Sequence, residues 1–372
     1  MAGQIVKRGE RTFTVRVYQG RNGEGKRLYL NKTVHGTKKE ADAVLRSLLT
    51  DKDMGTLAKP KRETLDAHIT RWLDVTVKAR VRARTHDDYS ELADRYIKPA
   101  LGKLHLHQLD AATIQSFYAG LLDKGLSART VRHTHAVLRN ALKQAVRWNL
   151  LPFNPCDHVD LPKVKRTEMM ALSQEQSREF LKAARDDPFQ AFFALLLSTG
   201  MRPSEALALR WSDVDLTAQY VQVCRSLSGR KGAKAFTDPK TNKSRRRIPI
   251  PSSLAALMKA EKEAQAADTD RPTDAFGLVF SNREGRPLDL RNLTNRHFKA
   301  IVKSAKLPAH FRLYDLRHTC ATLMLAAGVN PKIVAERLGH STVMLTLDTY
   351  SHILPDMQEE ATGKLEAALF GA

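Results

Sequence analysis

No run of apolar residues in this 372-residue chain approaches the ~18 that span a bilayer as a helix, which excludes a membrane-spanning reading. Cysteine is scarce: Cys156, Cys224 and Cys320 are odd in number and far apart, so neither a disulfide framework nor a CxxC zinc knuckle can be built. The opening residues, MAGQIVKRGERTFTV, lack the apolar stretch and small-residue cleavage site of a secretory leader, and the expected compartment is a reducing cytoplasm. Internal repeats and low-complexity tracts are also missing. Acidic residues are outnumbered, 40 Asp+Glu against 61 Lys+Arg, for a formal net charge of +21. Residues 1–60, 61–165 and 166–372 each carry a surplus of seven basic side chains. A solvated tail would concentrate that surplus, whereas contact with a polyanion along the whole chain spreads it. No basic amphipathic stretch with an aromatic face stands out, so a membrane surface is disfavoured. Charge alone leaves a merely soluble basic protein as the plainer alternative.

The length implies more than one domain. In the first segment Phe13 to Tyr18 alternates apolar and polar residues, and Arg27 to Val34 follows a Gly/Asn-rich turn, which predicts a β-hairpin. Ala41, Val44, Leu45, Leu48 and Leu49 recur at helical spacing and predict one helix packed on that sheet. The turn from Gly20 to Lys26 superficially fits a phosphate-binding loop, but Arg27 stands where Ser or Thr is needed and a strand follows, so no nucleotide site is assigned. Arg16, Lys26, Arg27 and Lys32 on a small sheet suit a DNA groove, a solvated basic hairpin being the alternative. Residues 51–63 lose periodicity and read as a linker.

From Thr64 to Trp148 four apolar stripes predict a four-helix bundle, the last carried by Val131, Val137, Leu138, Ala141, Leu142 and Ala145. Ser127 to His133 opens that helix with Arg129, Thr130 and Arg132, residue types that contact phosphate near a helix N-terminus. The prolines at 152 and 155 enforce an exit. In the third segment Ser173 and Gln176 form a capping box, and Tyr220–Val223, Ala233–Thr237 and Arg246–Pro251 read as short strands of one compact β region, the last at an edge because of its prolines. Helices resume at Asn292 and continue almost to the end.

Five stretches of this segment concentrate polar residues where the pattern demands structure. Thr199-Gly-Met-Arg202-Pro203-Ser-Glu205 places an arginine ahead of a helix that starts at Pro203. Lys240 lies in a cation-rich hairpin tip, with Lys243 as a competitor. Tyr314, Arg317 and His318 share a helix face at i, i+3 and i+4. Gly339-His340-Ser341 breaks between two short helices, and Leu347 to His352, containing Tyr350, closes the second.

These stretches, in this order and at about this spacing, resemble the successive motifs of the tyrosine recombinases, the phage integrase family, over roughly Leu172 to Leu354. The two upstream segments resemble, less specifically, those of integrases from phages and integrative or conjugative elements. The resemblance implies a multidomain, mainly α fold with small β-sheets: an arm-type DNA-binding three-stranded sheet plus helix at 1–58, a SAM-like helical core-binding domain at 62–158, and a mixed α/β catalytic domain with a C-terminal tail at 166–372. It implies site-specific strand exchange of a mobile element through a 3′-phosphotyrosine link, with no metal and no cofactor. Tyr350 would attack, Arg202 and Arg317 would clamp the phosphate, Lys240 would protonate the leaving 5′ oxygen, His340 would hydrogen-bond the phosphate and Glu205 would support the site. Its partners would be double-stranded DNA at core-type and arm-type sites, three further copies of the chain in a synaptic homotetramer, and excision or DNA-bending helper proteins, in the bacterial cytoplasm at the nucleoid. One position departs: the family usually has His where this chain has Tyr314. An imidazole titrates near 6.5 and a phenol near 10, so Tyr314 can donate a hydrogen bond but accepts a proton poorly. Plain core packing is the other reading of Tyr314. A catalytically silent DNA-binding protein and a type IB topoisomerase-like enzyme are the rival functions; the first would lack an arginine, the lysine or the tyrosine, and none is missing.

Overall fold

Alternation in the first segment becomes a three-stranded antiparallel sheet in the computed structural model, which describes residues 3–21, 25–53, 63–164, 169–229, 235–237, 245–268, 276–350 and 356–371. Strands β1 (Gly3–Gly9), β2 (Thr12–Arg21) and β3 (Arg27–His35) pair in sequence order. Phe13, Val15 and Val17 of β2 are buried together with Ala41 of α1 (Lys38–Asp53), with Val44, Leu45 and Leu48 partly buried against them, the cluster that the two periodicities anticipate. Strand β1, uneven in its own alternation, supplies the third strand that the family resemblance implies, whereas α1 departs from the sequence expectation by continuing to Asp53 instead of giving way to a linker at 51. The Lys52 ammonium in its last turn lies 5.5 Å from the Tyr18 ring centroid, and a cation suits a helix C-terminus. Residues 54–62 of the expected linker lie outside the described residues.

The chain divides into two compact units, residues 1–166 and 167–372. Besides the sheet and α1, the described residues of the first form four helical arms. α2 (Leu65–Arg71) runs through a π-turn, Trp72–Val77, into Lys78–Arg80, and α3 (Ala83–Leu92) runs likewise through Ala93–Ile97 into Lys98–Leu101. α4 (Ala111–Asp123) and α5 (Ala128–Arg147) follow, each started by a side-chain cap, Asp110 on Thr113 N–H and Ser127 on Thr130 N–H. Ile69, Ile97, Ile114, Leu138 and Leu142 are fully buried in one core, each contributing about 1.5–3 kcal/mol.

In the second unit α6 (Gln174–Ala183), opened by the Ser173 capping box, leads to α7 (Gln190–Thr199), whose residues from Ala191 to Leu197 are all buried, so this helix forms the centre of the core. The single-turn helix α8 (Pro203–Ala206) follows. The β region is two sheets where the sequence suggested one. Among the described residues β4 (Val214–Asp215), β5 (Tyr220–Val223) and β8 (Arg246–Pro249) pair in the order β4-β5-β8, with β8 at the edge, while β6 (Ser226–Ser228) pairs with β7 (Ala235–Thr237). Between β5 and β6 an Arg225–Asp213 ion pair and a hydrogen bond between the Ser226 and Ser204 hydroxyls draw the chain out of the first sheet. Helices complete the unit: α9 (Ser252–Ala267), α10 (Leu290–Asn292, continued by Leu293–Phe298 and Lys299–Ser304), α11 (Asp315–Ala326), α12 (Pro331–Leu338), α13 (Val343–Tyr350) and α14 (Asp356–Phe370). Among the described residues no helix is long and apolar enough to cross a membrane.

Candidate active site

Two helix ends converge on one arginine. Gly200 caps α7 and Leu338 ends α12, and their carbonyls each accept a 2.7 Å hydrogen bond from Arg317, through Nη1 and Nη2 respectively. Unpaired carbonyls at helix C-termini carry partial negative charge, so they hold a guanidinium well. Arg317, in the first turn of α11, is 2% exposed. Burial, and after it the Arg202 charge, lowers its pKa to about 10, which still leaves it protonated at neutral pH. Gly200 adopts φ +65°, and a Cβ there would lie 2.5 Å from Leu338 Cδ2 and 3.3 Å from Cys320 Sγ. Gly200→Ala is therefore expected to cost about 1–2 kcal/mol for the left-handed backbone alone, with the crowding added, read as a lowered melting temperature and a displaced Arg317. An unchanged melting temperature would contradict this account.

Arg202 caps the N-terminus of α8. Its backbone N–H donates to Glu205 Oε2 (3.0 Å), its Nη1 donates to Glu205 Oε1 (2.7 Å), and its Nη2 reaches the Gly339 carbonyl at 3.5 Å. Glu205 is buried and also accepts from Arg246 Nη2 at 2.8 Å. Burial opposes its ionisation, but Arg246 and Arg202 together hold its carboxyl below the usual range. Arg246 Nε donates to the Arg337 carbonyl at 2.6 Å, and Gly339, at φ +68°, leaves the room it occupies: a Cβ there would lie 2.9 Å from Arg246 Nη1. A carboxylate between two guanidiniums orients both and leaves the site net positive, as an anion site requires.

His340 Nδ1 and the Thr346 hydroxyl are 2.7 Å apart, and Thr346 is fully buried. Burial, then Arg317 and Arg202, pushes the His340 pKa down to about 4, so the ring is neutral at pH 7. Tyr350 ends α13, is 2% exposed, and packs with Ala321, Leu325, Val334 and Leu338. Its hydroxyl lies 2.7 Å from His318 Nδ1. Burial raises its pKa well above the ordinary phenol value, against the opposing charge of Arg317. Tyr314 is 43% exposed with its ring 5.4 Å from that of His318, so it does not serve as core packing.

The structure thus gathers Arg202, Glu205, Arg317, His340 and Tyr350 into one cluster, each held by its own hydrogen bonds, with Tyr314 beside His318. Lys240 and its competitor Lys243 lie outside the described residues, as does His352. Sequence reasoning did not single out Arg246 or Thr346, and it gave His318 no role in the reaction. Arg246 had a signal: it shares strand parity with the buried Ile248, and a cation at an inward position needs a partner. Among the described residues no group of three or more His, Cys, Asp or Glu side chains could hold a metal ion.

The proposed DNA-contacting residues lie in the first unit. Arg16 and Arg27 share the sheet face opposite α1, and the Arg16 guanidinium lies 4.0 Å from the Tyr29 ring centroid. Lys32 pairs opposite Val15 and so belongs to the α1 side, at an exposed position, while exposed Lys26 precedes β3. Arg129 and Arg132 are exposed on α5, with Arg132 Nη1 donating to the Pro162 carbonyl (3.3 Å). The Thr130 hydroxyl pairs with that of Ser127 (2.9 Å), which makes it part of the helix cap.

Comparison with known proteins adds three kinds of match. The model of the phage integrase family matches residues 170–357, and that of the phage integrase N-terminal SAM-like domain matches residues 64–122. The tyrosine recombinase XerC-like protein of Caldanaerobacter subterraneus subsp. tengcongensis is 29% identical over 383 residues, covering 97% of both chains. Among solved structures, the Tn1549 transposon integrase (residues 82–397) in complex with a circular intermediate DNA superposes with a TM-score of 0.71 at 21% identity, over 82% of this chain and 99% of that one. The lambda integrase tetramer bound to a Holliday junction gives a TM-score of 0.59 at 16% identity, over 93% and 94% of the two chains. The latter two likenesses describe the fold.

Proposed function

Because the chain belongs to the phage integrase family, the tyrosine recombinases that break and rejoin DNA at specific sites, we propose that it recombines a mobile element with Tyr350 as its nucleophile. The observation that carries this assignment is the convergence of two arginines, a neutral histidine and a buried tyrosine close enough in space to act on one another's charge, each held by its own hydrogen bonds. In this reading Arg202 and Arg317 hold the non-bridging oxygens of the scissile phosphate and stabilise the pentacoordinate transition state, a task that suits their planar forks. His340 Nε2 donates to the same phosphate, with Thr346 fixing the other ring nitrogen. Glu205 and Arg246 position Arg202. Lys240 protonates the 5′ oxygen as it leaves. The free 5′-hydroxyl of a partner strand then attacks the phosphotyrosine link, and the bond energy kept in that link makes a nucleotide cofactor unnecessary.

In the same reading residues 1–58 bind arm-type DNA through Arg16, Lys26, Arg27 and Lys32. Residues 62–158 bind core-type DNA through Arg129, Thr130 and Arg132, and 166–372 carry the chemistry. Four protomers form the synapse, assisted by excision or bending proteins. Leu365, Leu369 and Phe370 of α14 are exposed, and this helix docks on a neighbouring protomer. Deleting residues 356–372 is expected to abolish synapsis while single-protomer DNA binding persists; unchanged synapsis and cleavage would defeat that role. Tyr314 positions the phosphate, so Tyr314→Phe is expected to retain cleavage, slowed about 10- to 100-fold by loss of one hydrogen bond to a charged group. A loss as complete as that in Tyr350→Phe would overturn it.

The test is covalent capture. The protein is incubated with genomic DNA of its source in EDTA and denatured, linked DNA is recovered and sequenced at its ends, and the modified peptide is mapped. An adduct on Tyr350 at a few discrete loci is expected, and it would name the attachment sites as well. No adduct from folded, DNA-binding protein would favour the catalytically silent reading.

A further inference from the structure

A phenol attacks phosphorus well only if its proton leaves as the new bond forms, and a protonated tyrosine is otherwise a weak nucleophile. Burial keeps Tyr350 protonated, and the other phenol nearby, Tyr314, is a poor proton acceptor. We propose that His318 is the general base of the cleavage step: its Nδ1, 2.7 Å from the Tyr350 hydroxyl, takes the phenolic proton as the oxygen attacks the scissile phosphate. This proposal rests on Tyr350 being the nucleophile.

The geometry meets what a base must satisfy. The separation lies within the hydrogen-bond reach required before any question of acidity arises. His318 directly follows Arg317 in the first turn of α11, so the two carbonyl bonds that anchor Arg317 also fix the backbone that carries the imidazole. Its ring lies between those of Tyr314, at 5.4 Å, and Tyr350, at 5.8 Å, which restrains its orientation. The groups that face it are Asp315, Arg317 and Arg312 from α11 and the turn before it, His340 from the turn after α12, and Tyr314 and Tyr350. Burial, with Arg317 and Arg312, outweighs Asp315 and lowers the His318 pKa from 6.5, so at neutral pH the imidazole is uncharged with a lone pair to accept a proton. The phenol donates and Nδ1 accepts, which places the ring hydrogen on Nε2.

The step balances. The Tyr350 oxygen bonds to phosphorus and its proton moves to His318 Nδ1, while the bond from phosphorus to the 5′ oxygen breaks and that oxygen takes a proton from Lys240. In rejoining, an incoming 5′-hydroxyl gives its proton to neutral Lys240, the phosphotyrosine bond breaks, and protonated His318 returns its proton to the phenolate. Both groups end as they began.

The experiment uses the full chain and the source's genomic DNA in EDTA, following the initial rate of Tyr350 adduct formation against pH in the parent protein, His318→Ala and His318→Gln. The parent rate is expected to fall as pH drops through the imidazole pKa. In both variants adducts are expected to form about 10²- to 10⁴-fold more slowly with DNA retention unchanged, the acid limb is expected to disappear, and added imidazole is expected to rescue His318→Ala partly. Parent-like rates in either DNA-binding variant, or an acid limb that persists, would overturn the proposal. A second readout needs no DNA: in the ¹⁵N-histidine spectrum of the full chain, His318 is expected as the Nε2–H tautomer with an Nδ1 signal that moves in Tyr350→Phe, and an Nδ1–H tautomer would refute it. Parent protein that forms its adduct elsewhere than on Tyr350 would instead sink the nucleophile assignment, which separates the two failures.

Discussion

Tyr350→Phe is expected to abolish covalent DNA capture completely while leaving the protein folded and bound to DNA. The substitution deletes the one oxygen that forms the phosphotyrosine bond, so no residual adduct is available at that position. Little else changes. The ring keeps its packing against Ala321, Leu325, Val334 and Leu338. The lost hydrogen bond to His318 is worth about 0.5–1.5 kcal/mol, a fall of a few degrees in melting temperature. Denaturing electrophoresis of labelled DNA reads the adduct, and a native mobility shift reads binding. Adduct formation that survives in Tyr350→Phe would assign the nucleophile to another residue.

Arg317 gives the second large effect, on two scales that its substitutions separate. Lys cannot span two carbonyls and a phosphate with one ammonium, so Arg317→Lys is expected to keep most of the fold and lose about 10²- to 10³-fold in cleavage, the cost of removing one preorganised donor set from a transition state. Arg317→Ala removes both hydrogen bonds to the Gly200 and Leu338 carbonyls in a site that is 2% exposed. Each buried carbonyl left unpaired costs about 1–3 kcal/mol, so this variant is expected to lose much of its stability along with its activity. Thermal melting and adduct rates, measured below each variant's transition, distinguish the two. An Arg317→Lys protein as fast as the parent would show that the fork does not act on the phosphate, and an Arg317→Ala protein of parental stability would show that the carbonyls find other donors.

Much of the architecture follows from local pattern. Period-two alternation from Phe13 to Tyr18 places β2, the apolar spacing from Val131 to Ala145 places α5, and Ser127 and Ser173 mark where helices begin, because caps and periodicities act over a few residues and are written in a few residues. The family resemblance carried by the polar stretches also singled out Arg202, Glu205, Arg317, His340 and Tyr350, which the fold gathers into one cluster. The pairing of β6 with β7 apart from β5 was not legible, since strand partnership depends on where Arg225 and Ser226 turn the chain.

The sequence by itself therefore determined most of the elements and pointed to most of the residues proposed to carry the chemistry. Only the tertiary structure decided how those residues are wired. Arg246 is just another cation after the hairpin until it meets Glu205, 41 positions away, and His318 is a helix-face neighbour of Arg317 until its ring meets Tyr350, 32 positions on. Arg317 finds its anchor on Gly200, 117 positions back, because the ends of α7 and α12 converge there. Hydrogen bonds and charge pairs of this kind depend on distance in space. Distance in space is set by how buried helices pack, which no short window of sequence contains.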